Sequence, residues 1–559
     1  MNSREKNNSV KDILLENRKI ENEDFFEPKI GDLHDPFLLP DMEKAVTRIL
    51  NALENKERIV IFWDYDVDGV SSTTILVKFL SAIGAEVSYR LPHRVHDGYG
   101  LKNYFFDDLR EKNVKLVITV DCGTRDIEPI HYAKSLGIDV IVTDHHAVPE
   151  IIPEDVVALI NPKRKDSKYP FSGLAGAGVA FKLLHGVALR MKYSEWSIPN
   201  NIEEIHKILS DYIDLASLGT VADCMPLVDE NRVITSLWLK QMKKSKTSAL
   251  RKFIENIDQE VEWNADIIGF QIWPRINAAG RMDSPLKALH WLLSSEDRVD
   301  DWLCEVEELN AKRQEIVKEF SEDALLHADP ESPILFYFHE KLEHGIIGLI
   351  AWKLTEAYHR PAIVLCKHES TYVASCRSPD WCHLVELLDA SKEYFMRYWG
   401  HRQAAGFTIE IAKFWEFKEH ILRKFHEKYG PIHSLPPKNL LVECELFPNE
   451  INFETFAMIE SFRPFGIGNP KPKFYLEWLT ITRVDTIGKE KNHLSLSFLE
   501  LPGMKCLFWN FQDSLKTLPG IWDIVSPIMS LAKNTWNNME SLQLMCDTFI
   551  QIDNEESKK

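Results

Sequence analysis

The stretch RIVIFWDYDVDG, residues 58–69, joins a short apolar run to three carboxylates at alternating positions, Asp64, Asp66 and Asp68. An apolar run of this length, rich in β-branched and aromatic residues and ending in a polar turn, reads as a buried strand. Three anions leaving one strand end repel one another, so the turn is either a metal-binding loop or an exposed acidic one. The D-x-D-x-D-G spelling also opens an EF-hand calcium loop. That loop follows a helix and needs a bidentate Glu at its twelfth position, where Ile75 stands.

Outward from this point the same alternation continues. SSTTILVKFLSAI (71–83) reads as a helix, EVSYRL (86–91), LVITV (116–120), DVIVT (139–143) and VALI (157–160) as strands, and a segment near 128–136 as another helix. Strand-length and helix-length segments in this order give an α/β fold, a parallel doubly wound sheet over residues 41–235. Residues 1–40, polar with scattered aromatics, read as a loosely structured N-terminal arm. Residues 236–325 read as a helical connector in which Trp302, Val306, Leu309, Ile316 and Phe320 recur at helical spacing. A second α/β unit is expected over 326–430, with PILFYF and PAIVLC as strands and GIIGLIAWKLTEAY as a helix. Beyond the GPIHSLPPKN linker, LLVECEL, LTITRVDTI, HLSLSFLEL and LQLMCDTFI predict a C-terminal β-barrel over 431–559.

Composition bounds the function classes. A chain of 559 residues with 45% hydrophobic and 27% charged residues is a multidomain globular protein. The formal net charge of −19 excludes a nonspecific cationic coat for nucleic acid, and leaves room for a local basic groove. Nine scattered cysteines without a C-x-x-C pair point to reduced thiols and away from a disulfide framework or a thiolate zinc site. No apolar leader opens the sequence and no run approaches a membrane span, so a soluble, cytoplasmic protein is expected.

Two further strand ends add to the acidic turn. LVITV runs into Asp121-Cys122-Gly123 and DVIVT into Asp144-His145-His146, while Asp223 in LASLGTVADCMPL is a weaker candidate. In a parallel sheet these ends share one edge. Gathering Asp64, Asp66, Asp68, Asp121, Asp144 and Asp223 there is tolerable only with divalent cations among them. Oxygen donors joined by imidazole suit Mn2+, with Mg2+ or Fe2+ as competitors. Two ions bridged by a carboxylate, for which Asp121 is the choice, are the usual device for hydrolysing phosphate esters. Adjacent residues leaving a strand point apart, so one of His145 and His146 is expected to bind and the other to support it.

The series DYDVDG, VDCG, TDHH and GTVAD resembles, in order, the four motifs of the DHH phosphoesterase superfamily. HRVHDGYGL (93–101), NPKRKDSKYPFSGLAGAGVAFKLL (161–184), INAAGRMDSP (276–285), HGIIGLIAWKL (344–354), ASCRS (374–378), GHRQAAGF (400–407) and RPFGIGNPKPKF (463–474) are similar to segments of its RecJ family of single-strand-specific exonucleases. The resemblance runs from about residue 41 to the C-terminal tail. It implies a DHH domain at 41–235, a DHH-associated domain at 326–430 and an oligonucleotide-binding (OB-like) domain at 431–559.

It further implies an enzyme using two Mn2+ ions, with Mg2+ as substitute, to degrade single-stranded DNA from the 5′ end to mononucleotides in repair and recombination. Single-strand-binding protein and a RecQ-type helicase are the implied partners. Carried over by position, Asp66, Asp68, Asp121, His145 and Asp223 become metal ligands, supported by Asp64 and His146. Arg94, Arg281, Ser375 and Arg377 become phosphate contacts, and His401 lies in the motif expected to face the metals. Arginine suits that role because its planar fork matches phosphate oxygens. The alternatives are a DHH phosphoesterase for short oligonucleotides or other small phosphates, and a non-catalytic repair scaffold. The presence of the β-barrel and of every expected ligand argues against them.

Two positions depart from the family pattern: Trp399 stands where a second glycine is common, and Cys376 stands between Ser375 and Arg377 in place of glycine. Gly176-Ala177-Gly178 begins a G-x-G-x-x-G match that Phe181 breaks, and close helix-to-sheet packing is the expected role. In the barrel, Lys471, Lys473, Phe474 and Trp536 are candidates for tracking a strand by charge and stacking, with core filling an equal alternative for the aromatics.

Overall fold

The computed structural model describes residues 9–63, 65–91, 100–191, 202–257, 264–511, 518–536 and 539–551. The chain divides into two compact units. One comprises Met1–Ile276, Pro285–Leu303 and Leu441–Lys559, the other Asn277–Ser284 and Cys304–Leu440.

In the first unit, strands β1 (Arg58–Trp63), β2 (Glu86–Arg90), β3 (Val114–Val120), β4 (Asp139–Thr143) and β5 (Ala158–Ile160) form a wholly parallel sheet in the order β2-β1-β3-β4-β5. Strands β1, β3 and β4 are continuous apolar runs, as a sheet covered on both faces requires. The helices Val67–Ala82 and Gly176–Met191 are apolar around most of their circumference and buried to match. Register aligns Trp63, Val120, Thr143 and Ile160 in one row, so Asp121, Asp144 and Asn161 leave their strands at the same level. The strand order reverses between β1 and β3, which puts the ligand crevice of this topology beside the two acidic turns.

The same unit contains the C-terminal barrel. Its strands are β11 (Cys444–Glu445), β12 (Phe474–Tyr475), β13 (Leu479–Ile487), β14 (His493–Phe498), β15 (Lys505–Phe508), β16 (Ile524–Trp536) and β17 (Met539–Gln551). The pairings β16–β13–β14–β15–β17 close on β16 and make a five-stranded barrel. The expected LLVECEL strand shrinks to two residues. The long β16, whose run contains Pro527, is not among the strands expected from the sequence.

The N-terminal arm differs from expectation: from residue 9 it is ordered structure. Helix Val10–Asn17 is capped by Ser9, and it buries Val10 and Leu14 in the barrel core beside Phe462. Arg18 pairs with Glu443 at 2.8 Å, and Phe25 and Phe26 pack edge-on or tilted against Phe462. Eight residues do not hold a helix in water unaided, so composition gave no sign of it; the tertiary contacts stabilise it. The buried Arg232 donates to the carbonyls of Phe25 and Phe462, tying the arm, the helix Asp229–Gln241 and the barrel region together.

The second unit is a mixed sheet, β6 (Leu335–Phe338), β7 (Ala362–His368), β8 (Thr371–Arg377), β9 (Phe395–Gly400) and β10 (Ala404–Glu410), ordered β6-β7-β8-β10-β9. Helix Ile347–Tyr358 packs on one face with Val364 and Val373. Phe417, Ile421 and Phe425 of helix Phe414–Tyr429 pack on the other with Cys376 and Phe407. The connector is helical as expected, in Ser248–Asn256, Trp273–Met282, Pro285–Leu293 and Val299–His327. Among the described residues no helix is long and apolar enough to cross a membrane.

Candidate functional site

The acidic turn after β1 becomes the start of a helix. Asp66 is the N-cap of Val67–Ala82 and accepts from the backbone N–H of Gly69 at 3.0 Å. Within the first turn Asp68 is buried, and its carboxylate accepts from the backbone N–H groups of Gly176 (2.6 Å) and Ala177 (2.8 Å). Those amides open the helix Gly176–Met191, whose positive end faces the anion. The glycines are required here. A Cβ at Gly176 would lie 2.8 Å from Asp121 Cβ, and one at Gly219 would overlap Asp68 Oδ1 and Ala177 Cβ. The G-A-G sequence therefore cradles a carboxylate, in addition to the packing that its composition suggests.

Asp121 follows β3 in a left-handed backbone conformation, φ 60°, with its N–H still donating to Thr143 O. A non-glycine residue held there stores strain of the kind concentrated at functional sites. Asp223 comes from the end of the helix Ile202–Ala222, not from a strand, and a helix C-terminus adds negative potential to the cluster.

His145 Nε2 projects among these groups. It lies 3.1 Å from Asp121 Oδ1, 3.5 Å from Asp223 Oδ2 and 3.7 Å from Asp68 Oδ2, and makes no hydrogen bond. Burial, reinforced by the charge of His146, pushes its pKa down to about 3, so it is a neutral nitrogen donor among carboxylates. Burial and the charges of Asp223 and Asp66 hold Asp68 well above the usual carboxylate range. Burial and Asp66 push Asp223 up to about 7, against the opposing charges of His146 and Lys163. These are the costs of an uncompensated anion cluster. Among the described residues two groups have ligand atoms all within 4.8 Å of one another: Asp121, His145, His146, and Asp68, His145, Asp223. A neutral imidazole with three carboxylates around it is a donor set that fits a hard or borderline divalent ion.

Asp144 has a different task from its neighbours. It is buried, and accepts from the N–H groups of Thr124 (3.0 Å), His145 (2.7 Å) and His146 (3.0 Å) and from His146 Nδ1 (2.8 Å). Burial works against its ionised form, but the His146 hydrogen bond and charge outweigh that and keep it a carboxylate far into acid. The same contacts raise the pKa of His146 despite its own burial. The D-H-H turn is thus organised by its aspartate, and His146 is braced by it.

Sequence reasoning missed Lys163, whose charge acts on Asp223 and Asp144; a lone lysine in a turn carried no signal. It also missed the amide cradle of Asp68. Asp66 belongs to neither ligand group, and Asp64 and Arg94 lie outside the described residues. Arg281, Ser375, Arg377 and His401 all fall in the second unit. Arg281 Nη1 donates to Gly345 O (2.9 Å), and Arg377 Nη1 to Ser375 Oγ (3.2 Å) and Cys376 O (2.8 Å). His401 is exposed at the β9–β10 turn. Cys376 points into the opposite, apolar face, where burial pushes its thiol up to about 12, so the departure from glycine leaves the Ser375–Arg377 face unaltered.

In the barrel, Phe474 is fully buried and fills the core, and Lys473 pairs with Asp547 at 2.8 Å. The side chain of Trp536 lies outside the described residues. Trp478, Trp509 and Trp522, which the sequence reading did not select, are exposed instead. The RPFGIGNP segment docks on the turn Pro226–Val228 that follows Asp223 in sequence: Leu227 N–H donates to Ile467 O at 2.7 Å, and a Cβ at Gly468 (φ 77°) would lie 3.0 Å from Pro226 Cβ.

Family models agree with this geometry, the DHH family N-terminal domain matching residues 58–220 and the RecJ OB domain residues 442–548. The single-stranded-DNA-specific exonuclease RecJ of Haemophilus influenzae is 30% identical over 88% of this chain and 87% of its own length. This chain belongs to the RecJ family. RecJ of Bacillus subtilis is 31% identical over 93% of this chain, which spans 65% of that relative's length. Crystal structures of RecJ from Thermus thermophilus are similar to it, one in complex with Mn2+ (TM-score 0.82, 27% identity, 97% of this chain and 76% of that one) and one with Mg2+ (TM-score 0.77, 25% identity, 97% and 75%).

Proposed function

We propose that this chain is a metal-dependent exonuclease that hydrolyses single-stranded DNA from the 5′ end to 5′-mononucleotides, in DNA repair and recombination in the cytoplasm. The observation that carries the reading is the meeting of Asp68, Asp121, His145 and Asp223 at the carboxyl edge of the parallel sheet, around a neutral imidazole nitrogen. Family membership and metal-bound relatives support it.

Asp66, Asp68, Asp121, His145 and Asp223 would hold two Mn2+ or Mg2+ ions, with His146 and Asp64 in support. Asp121, whose Oδ1 lies 3.1 Å from His145 Nε2 and 3.8 Å from His146 Nδ1, would serve both ions as their common carboxylate. Bound divalent ions supply an acidified water as nucleophile and neutralise charge on the phosphate. The chain's own part is to hold donors ready: the amide cradle fixes Asp68, and Asp144 fixes the backbone of His145 and His146 and the imidazole of His146. Arg281, Ser375, Arg377, His401 and Arg94 would take phosphate oxygens and select a strand terminus. The exposed Trp478, Trp509 and Trp522 of the closed barrel would stack on bases, which favours a polymer over a small phosphate substrate. Single-strand-binding protein and a RecQ-type helicase are the partners this reading assigns.

The test is release of label from 5′- and 3′-labelled single strands with Mn2+ or chelator. Early loss of 5′ label that chelator abolishes supports the reading; early loss of 3′ label overturns its polarity.

A further inference from the structure

The departure at Trp399 can be placed within the second unit. Strands β8, β10 and β9 are neighbours, and their register puts Ser375, Gly406 and Trp399 directly opposite one another in one row. Residues opposite in a ladder share a face, so the indole stands on the face of Ser375 and Arg377, about 10 Å or two inter-strand spacings away. Between them Gly406 contributes no side chain. The indole lies across it: a Cβ at 406 would meet Trp399 Cζ2 at 2.9 Å and Cε2 at 3.1 Å. The opposite face holds the apolar core of Phe395, Tyr398 and Phe407, to which Trp399 does not belong. It remains 48% exposed, with the Arg397 guanidinium 5.7 Å from its ring.

At the other end of the row the first turn of the helix Ile347–Tyr358 meets the polar pair. A Cβ at Gly348 would lie 3.0 Å from Arg377 Nη2 and 3.1 Å from Ser375 Oγ. A guanidinium, a hydroxyl and a helix N-terminus together suit a phosphate. One step along the sheet, at the scale of a single nucleotide, lies a half-exposed aromatic surface flanked by the Arg397 guanidinium.

We propose that Trp399 is a stacking platform for the base of the terminal nucleotide whose phosphate Ser375 and Arg377 hold. This rests on the nuclease reading above. It adds a selectivity that a glycine at this position does not provide: the enzyme prefers a strand whose terminal residue carries a base over one whose terminal residue is abasic. Indole stacks on any base, so the preference is for the presence of a base and not for its identity. The rival account is structural, an aromatic side chain covering a cross-strand glycine.

The test uses the full chain and two 5′-phosphorylated single strands, identical except that one ends in an abasic tetrahydrofuran residue. Equilibrium binding is measured by fluorescence anisotropy in EDTA, and KM for the first cleavage is measured with Mn2+. The parent is expected to favour the base-bearing strand by about five-fold or more in both. The ratio should fall to about one in Trp399→Ala and in Trp399→Leu, which keeps an apolar cover without an aromatic face, and persist in Trp399→Phe. A parent without preference, or a preference that persists in the Ala and Leu variants, overturns the proposal. Discrimination in binding without cleavage of either strand would leave the platform standing and sink the nuclease reading instead.

Discussion

Asp68 Oδ1 accepts the backbone N–H of Ala177 at 2.8 Å, 109 residues away in sequence, and Gly219 leaves the space in which this bond is made. The acidic cluster therefore depends on backbone placement as much as on its ligands. Gly219→Ala would force Asp68 or Ala177 aside, an overpacking that costs about 1–3 kcal/mol. The expected result is a Mn2+ affinity at least tenfold weaker by paramagnetic resonance titration, with the fold retained by circular dichroism. Unchanged affinity would mean that the cradle does not position the ligand.

Asp144 organises the D-H-H turn through three backbone donors and one imidazole. Asn in its place offers one acceptor oxygen and no charge. Asp144→Asn should lose about 1–3 kcal/mol in urea unfolding of the ion-free protein, more than a surface substitution does.

Proton competition sets the pH response of metal binding. Asp223 sits at about 7 in the ion-free protein, raised first by burial and then by Asp66, and must give up its proton to bind. His145, pushed down to about 3 chiefly by burial, is already neutral and adds no competing proton. Asp68, held well above the usual carboxylate range by burial and by Asp223, must lose a proton as well, so apparent Mn2+ affinity should fall as pH drops through about 7, by about tenfold per unit or more. In Asp223→Asn the binding is weaker throughout and the fall with pH is less steep.

The arm is a structural part of the first unit. Leu14 is fully buried in the barrel core, so Leu14→Ala should cost about 2–4 kcal/mol and expose the arm to limited proteolysis near residue 18.

Much of this was legible before the structure. β1 and β4 have the boundaries that apolar runs mark in the sequence, because strands buried on both faces leave no ambiguity of period. Asp121 and His145 were recognisable as strand-end residues for the same reason. The arm helix was not, since Val10 and Leu14 gain their stability from a barrel more than 400 residues further on. Nor was the task of Asp144: composition cannot tell a carboxylate that would meet metal from one that holds backbone. Gly176 and Gly219 show the general difficulty, because a glycine records that space is needed and not what fills it.

The most direct measurement compares the parent with Asp121→Ala on 5′-labelled single-stranded DNA at pH 8 with Mn2+, alongside Mn2+ stoichiometry for both proteins. Two bound ions and rapid release of 5′ label in the parent, with loss of ion binding and at least a thousandfold lower rate in the variant, are predicted. An Asp121→Ala protein that digests the strand at the parental rate would contradict the account.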